Sequence, residues 1–184
     1  MATPKSDVLE GHGALDLAAL VKARKVSPTE LLEAAIIRAE ALNPRFNFMA
    51  QKHYDYARRK IAEGLPQGPF TGVPWLLKDL NTYIAGELTE GGSRFFRGYR
   101  ATVTSELVKR QERAGFVVFG KTTTPEYGLT ATTENKLTGD TRNPWNPEFG
   151  SRIAFLDLGG RQTAWTADRT EFLGRNGAPD APVG

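Results

Sequence analysis

Apolar positions fall first into helical and then into strand-like patterns along the chain. Leu17, Leu20 and Val21 recur at helical spacing and predict a short helix over residues 15–25. Ser27-Pro28-Thr29-Glu30 then places a hydroxyl at an N-cap, proline at the first helical position and glutamate at the third, the pattern of a capping box. Leu32, Ile36, Ala39 and Leu42 form one apolar stripe behind it. Asn43-Pro44 is expected to end that helix, because a residue before proline is pushed out of helical geometry. A third helix is predicted over residues 53–63, stopped by Gly64 and followed by a turn at Pro66, Gly68 and Pro69.

The pattern changes over residues 71–80, where Val73, Trp75, Leu76 and Leu77 make an unbroken apolar run that stops at Lys78-Asp79. Such a run reads as a strand buried on both faces. Residues 88–100 contain glycines and no period, and read as a loop. A helix is predicted over residues 104–114, with Gly115 suited to its C′ position. A second apolar strand is predicted at residues 116–119, closed by Gly120-Lys121. Strand, loop, helix and strand in this order argue for an α/β sheet with crossover helices. Residues 122–148 are rich in Thr, Asn, Pro and Gly and read as an extended connecting segment; no internal repeat is visible.

Composition narrows the function classes. The 184 residues are 40% hydrophobic and 24% charged, enough for one compact domain with a core and unlike a disordered chain. The net charge of +3 is spread out, and the one basic triplet, Arg58-Arg59-Lys60, lies on a predicted helix, where it reads as a solvated face. Nucleic acid is therefore not an expected partner. With no cysteine, and with His12 and His53 isolated from other ligands, neither a disulfide nor a metal site is expected. The first residues lack the apolar stretch of a signal peptide, and no apolar run approaches the ~20 residues that span a bilayer. A soluble, cytoplasmic protein without membrane contact is the expectation.

Lys78 is the candidate catalytic residue. An ammonium at the end of a buried strand is partly desolvated, which lowers its pKa and makes the neutral amine accessible as a general base for a hydroxyl. The competing reading is a lysine that leaves the strand for water, with Asp79 as a loose surface partner.

Motifs around Lys78 bear on that choice. Gly72-Val73-Pro74-Trp75-Leu76-Leu77-Lys78-Asp79 resembles the G-[VI]-P-x-x-x-K-D segment that carries the catalytic lysine of the amidase signature family. Gly120-Lys121-Thr122-Thr123-Thr124-Pro125-Glu126-Tyr127-Gly128 is similar to that family's G-K-T-N-x-x-E-[FM]-G segment, with Thr123 where asparagine is usual. Ala131-Thr132-Thr133-Glu134-Asn135, Thr141-Arg142-Asn143-Pro144-Trp145-Asn146 and the Ser27 helix match further family segments in the same order. The resemblance implies an amide hydrolase of Ser-Ser-Lys type acting on a small-molecule amide, with Lys78 as its base and with no metal or organic cofactor. It also implies glycine-rich segments holding a bridging and a nucleophilic serine after Pro147. The chain instead continues Phe149-Gly150-Ser151-Arg152-Ile153-Ala154, and Ser151, the one serine after Ser105, reads as an ordinary turn residue.

Past Glu148 the composition shifts: all nine lysines precede it, and Arg, Gly, Asp and Thr dominate the remaining residues. The stretch over residues 149–177, including Trp165-Thr166-Ala167-Asp168-Arg169-Thr170-Glu171-Phe172-Leu173-Gly174-Arg175-Asn176-Gly177, resembles a segment of the cyclic β-1,2-glucan synthetases and related glycoside phosphorylases. There the run belongs to a large β-sandwich domain; Trp165 and Phe172 read as apolar packing anchors, with sugar contact as the competing reading. A frame-shifted reading of a GC-rich gene is the competing account. The expected architecture is thus α/β: an incomplete amidase-signature α/β/α core, a mixed sheet with flanking helices, over residues 1–148, and a foreign, irregular or β-like tail over residues 149–184. Association through exposed strand edges is expected of such a chain.

Overall fold

The structure, a computed structural model, describes residues 8–144. It is a mixed α/β arrangement in which helices flank a mixed three-stranded sheet of order β1-β3-β2. The chain forms α1 (Ala14–Lys22), α2 (Pro28–Phe46), β1 (Met49–Lys52), α3 (Tyr54–Glu63), β2 (Pro74–Lys78), α4 (Glu106–Arg113) and β3 (Val117–Thr122), then a small hairpin, β4 (Glu134–Asn135) with β5 (Gly139–Asp140).

The cap predicted for α2 is present: Glu30 N–H donates to Ser27 Oγ at 3.2 Å, and Ser27 N–H donates to the Glu30 carboxylate at 2.8 Å. Removing the side chain in Ser27→Ala is expected to cost about 1 kcal/mol, read as a lower urea midpoint with an unchanged slope. The helix does not stop at Asn43-Pro44 but runs through Pro44 to Phe46. Pro44 removes one N–H within the last turn, where little of the helix remains to be disrupted. The exit is set instead by Asn47, left-handed at φ 49°, whose N–H reaches Asn43 O at 2.7 Å. Asn43 Oδ1 accepts the N–H groups of Phe48 and Met49 at 2.9 and 2.8 Å and so aims the chain into β1.

β2 and β3 are parallel and joined through α4, the crossover expected from the strand–helix–strand order. β3 is longer than its apolar run, continuing through Gly120 and Lys121 to Thr122 with every residue buried. β1 lies antiparallel on its other side, pairing Met49 with Thr122 and Gln51 with Lys121. One apolar cluster joins α1 and α2 to the sheet through Leu17, Leu31, Leu32, Ala35, Val117 and Phe119. A second packs Leu77 and Val118 against Tyr56 of α3, Ile84 and Val108 of α4. These two clusters fix the C-terminal ends of β2 and β3, where the polar residues begin.

Residues 88–100 form the expected loop, closed by a bridge between Leu88 and Arg100 and carrying a 3-10 turn at Arg94–Phe96. The connecting segment is more structured than its composition suggested, with a 3-10 turn at Glu126–Gly128 and the β4–β5 hairpin. Among the described residues no helix is long and apolar enough to cross a membrane, and no group of three or more His, Asp or Glu could hold a metal ion. Ser151, Trp165 and Phe172 lie outside the described residues.

Candidate active site

Lys78 closes β2, in register with Thr122 on β3. It is partly buried, and burial lowers the pKa of its amine below the ordinary lysine range. The strand end is held from two sides: Thr82 Oγ donates to Lys78 O, and Asp79 N–H donates to Thr122 O at 3.0 Å.

Asp79 is not a loose surface partner of Lys78. It is 1% exposed, and its carboxylate accepts Glu90 N–H at 3.1 and 3.3 Å. Its ionic partner is Lys121, whose Nζ lies 3.6 Å from Asp79 Oδ1. Lys121 is 0% exposed, and its ammonium also donates to Leu88 O at 2.9 Å and to Thr89 Oγ1. Burial pushes the Asp79 carboxyl up and the Lys121 amine down, while each charge favours the other's ionised form. Neighbouring strand residues face opposite sides of a sheet. Lys121, level with Leu77, therefore shares the face of Leu77 and Asp79, while Lys78 shares that of Thr122. The structure thus separates a half-buried amine on one face from a neutralised ion pair on the other.

Sequence reasoning missed this pair because it ended β3 at Phe119 and so left Lys121 outside the strand. The available signal was the position of Gly120-Lys121-Thr122 in direct continuation of an apolar run. His53, isolated in sequence, is 5% exposed with Nδ1 3.2 Å from Glu87 Oε2. Burial, with the Lys121 and Arg100 charges, lowers its pKa to about 4, so it is neutral near pH 7. Thr123, at the position that departs from the motif, is wholly enclosed; its Oγ1 lies 2.6 Å from Thr141 Oγ1, which donates to Asn47 O at 2.8 Å. That chain of hydroxyls ties the connecting segment to the exit of α2.

A family profile, that of the Amidase family, matches residues 30–151. The chain belongs to the amidase family. Among its relatives, the 6-aminohexanoate-cyclic-dimer hydrolase of Paenarthrobacter ureafaciens is 44% identical over 131 residues, which are 70% of this amidase-family chain and 26% of the relative. An acylamidase of Rhodococcus erythropolis is 38% identical over 139 residues, 72% of this chain and 29% of that one. The solved structure of 6-aminohexanoate cyclic dimer hydrolase complexed with substrate superposes with a TM-score of 0.74 at 40% identity, covering 78% of this chain and 30% of that one. A bacterial aryl acylamidase of the amidase signature family gives 0.70 at 34% identity, covering 78% and 31%. The amidase-family chain therefore spans between a quarter and a third of the length of these relatives. A second profile, the supersandwich domain of glycosyl hydrolase 94, matches residues 124–184 and overlaps the end of the first.

Proposed function

We propose that this chain carries the base-bearing part of an amide hydrolase active site, with Lys78 as the general base. The observation that carries the reading is a half-buried amine at the C-terminal end of a strand in an amidase-family fold, with desolvation favouring its neutral form. In the reaction so read, the Lys78 amine accepts a proton relayed from a nucleophilic serine through a bridging serine. The nucleophile adds to the amide carbonyl, the amine leaves with the relayed proton, and water then cleaves the acyl ester. The substrate class is a small-molecule carboxamide, which agrees with the names of the relatives. Neither serine belongs to the sequence after Pro147 as we read it, so residues 1–148 supply the base without its nucleophile and residues 149–184 are a tail of different origin.

The exposed apolar side chains support incompleteness: Phe95 is 82% and Leu129 81% exposed, and β2 is an outer strand among the described residues. The pure chain is expected to show no turnover of a simple aliphatic or aromatic amide, with Lys78→Ala indistinguishable from it. Turnover abolished by Lys78→Ala would overturn the claim that the nucleophile is missing. Genomic DNA read across the codons for Asp140 to Gly160 tests the tail's separate origin. The glycosyl hydrolase 94 profile favours one alternative, a noncatalytic fragment of a carbohydrate-active protein. Retention on a β-glucan matrix that is lost in Trp165→Ala would support it.

A further inference from the structure

A trans peptide points its carbonyl and its N–H to opposite sides. The peptide that joins Lys78 to Asp79 sends its N–H to Thr122 O on β3 at 3.0 Å, so Lys78 O faces away from β3, along the outer side of β2. A partly buried carbonyl in that place needs a donor. A side chain supplies it: Thr82 Oγ1, four residues on, donates to Lys78 O. Both ends of this one peptide are therefore held. The turn that carries Thr82 is itself anchored. Asn81 is left-handed at φ 60°, which bends the chain back toward the strand end, and Thr82 is 8% exposed. Beyond it, Tyr83 O accepts Ser105 N–H at 3.0 Å, Ala85 N–H donates to Thr104 Oγ1 at 3.1 Å, and Ile84 packs in the apolar cluster of Leu77 and Val108. The hydroxyl thus comes from a segment tied to the start of α4 and to the core.

We propose that Thr82 is the positioning residue for Lys78: by holding the Lys78 carbonyl it fixes the backbone from which the side chain of the base leaves β2. The ψ angle of Lys78 is set by the plane of the peptide held between Thr82 and Thr122. A long lysine stem carries any rotation at its root out to the amine, so a loose strand end is an imprecisely placed and better hydrated base. Asp79, the next residue, has anchors of its own on the opposite face, in Glu90 N–H at 3.1 Å and Lys121 Nζ at 3.6 Å. Loss of the Thr82 grip is therefore felt first at Lys78. The inference rests on Lys78 being the base of the proposed reaction, and the experiment separates the two claims.

The full chain is labelled with a trace of acetic anhydride between about pH 6 and 11, and acetylation of Lys78 is followed by mass spectrometry, since only the neutral amine reacts. Wild-type Lys78 is expected to titrate below the ordinary lysine value of about 10.4, as its burial dictates. Thr82→Val keeps the shape of the side chain and removes the donor. With the strand end released the amine meets more water, and its midpoint is expected to rise toward the ordinary value, lowering the neutral fraction at pH 8 about three- to tenfold. Thr82→Ser, which keeps the donor, is expected to titrate as wild type, and Lys121, 0% exposed, to stay unlabelled in both variants. A hydroxyl with a merely structural role predicts otherwise: Thr82→Val lowers the urea midpoint, Thr82→Ser restores it, and the Lys78 titration stays put. An unmoved Lys78 midpoint overturns the assignment of Thr82 and leaves Lys78 as base. A rise accompanied by labelling of Lys121 shows that the whole sheet has loosened, and overturns the assignment too. A wild-type midpoint near the ordinary value overturns both claims. If Thr82→Val fails to fold, Thr82→Ala is read in the same way.

Discussion

Replacing Lys121 with methionine is expected to destabilise the fold by about 3–5 kcal/mol, the cost of stranding a buried charge. Methionine matches the length and apolar bulk of the lysine stem, so little packing is lost. What disappears is the cation 3.6 Å from Asp79, together with the donors that hold Leu88 O and Thr89 Oγ1. The loop at residues 88–90 then loses its anchor on β3, and the 1%-exposed Asp79 carboxylate keeps only Glu90 N–H. For a domain whose total stability is about 5–15 kcal/mol, that is a large fraction. Urea denaturation of the variant beside wild type measures it.

The pH dependence gives a second signature. Burial already raises the Asp79 carboxyl, and Lys121 is the main influence pulling it down. Without that cation the folded-state pKa rises further above the unfolded value of about 3.9. A carboxyl with a raised folded pKa takes up a proton on folding, so its contribution to stability falls as pH rises between the two values. The deficit of Lys121→Met relative to wild type is therefore expected to shrink from pH 7 toward pH 5. The double variant Asp79→Asn with Lys121→Met should cost less than the sum of its parts, because the asparagine leaves no charge to strand. A single-variant loss below about 1 kcal/mol would show that the pair is reached by water.

Gly115→Ala is expected to cost about 2–4 kcal/mol for a different reason, combining a left-handed backbone with overpacking. Gly115 follows α4 with φ +98°, and a Cβ there would lie 2.5 Å from Thr71 Cα and 2.6 Å from Thr71 N. Those are backbone atoms, and no rotamer moves them aside. The same residue joins the elements, with its N–H on Glu112 O at 2.9 Å and its carbonyl accepting Gly72 N–H at 2.9 Å. Strain and crowding therefore act together at the point where the crossover meets the approach to β2. Gly98→Ala is the control: φ is +81°, but nothing lies within 4 Å of the added carbon, so only the conformational cost of about 1–2 kcal/mol remains. Equal losses in the two variants, measured by urea denaturation, would show that the backbone at Thr71 yields.

The legible parts of this fold were those decided within a few residues. Ser27 and Glu30 cap α2 through a local contact, and Gly115 ends α4 by its own freedom. The apolar run to Leu77 announces both β2 and the placing of Lys78 at its end. The order of motifs along the chain pointed to the amidase family that the profile and the solved structures bear out. What escaped depends on partners distant in sequence. Met49-Ala50-Gln51-Lys52 has neither alternation nor β-branched residues, and becomes a strand because β3 offers it a partner. Lys121 reads as a surface residue until the Leu88 carbonyl, Thr89 and Asp79 are brought to its ammonium. Pro44 reads as a stop because the role of the Asn43 side chain in the exit is invisible without Phe48 and Met49.

The strand order has a consequence for how the chain is made. β3 is the middle strand yet the last of the three in sequence, and Met49 and Thr122 meet only after a long loop is closed. During synthesis, β1 and β2 leave the ribosome with no neighbour to pair with. Closing that loop is an entropic toll that helical segments such as α2 escape, so the helices can form early and the sheet must wait. Until Thr122 has emerged, Lys78 lacks its neighbour on β3, so the burial that lowers the pKa of its amine waits on the pairing of β2 with β3.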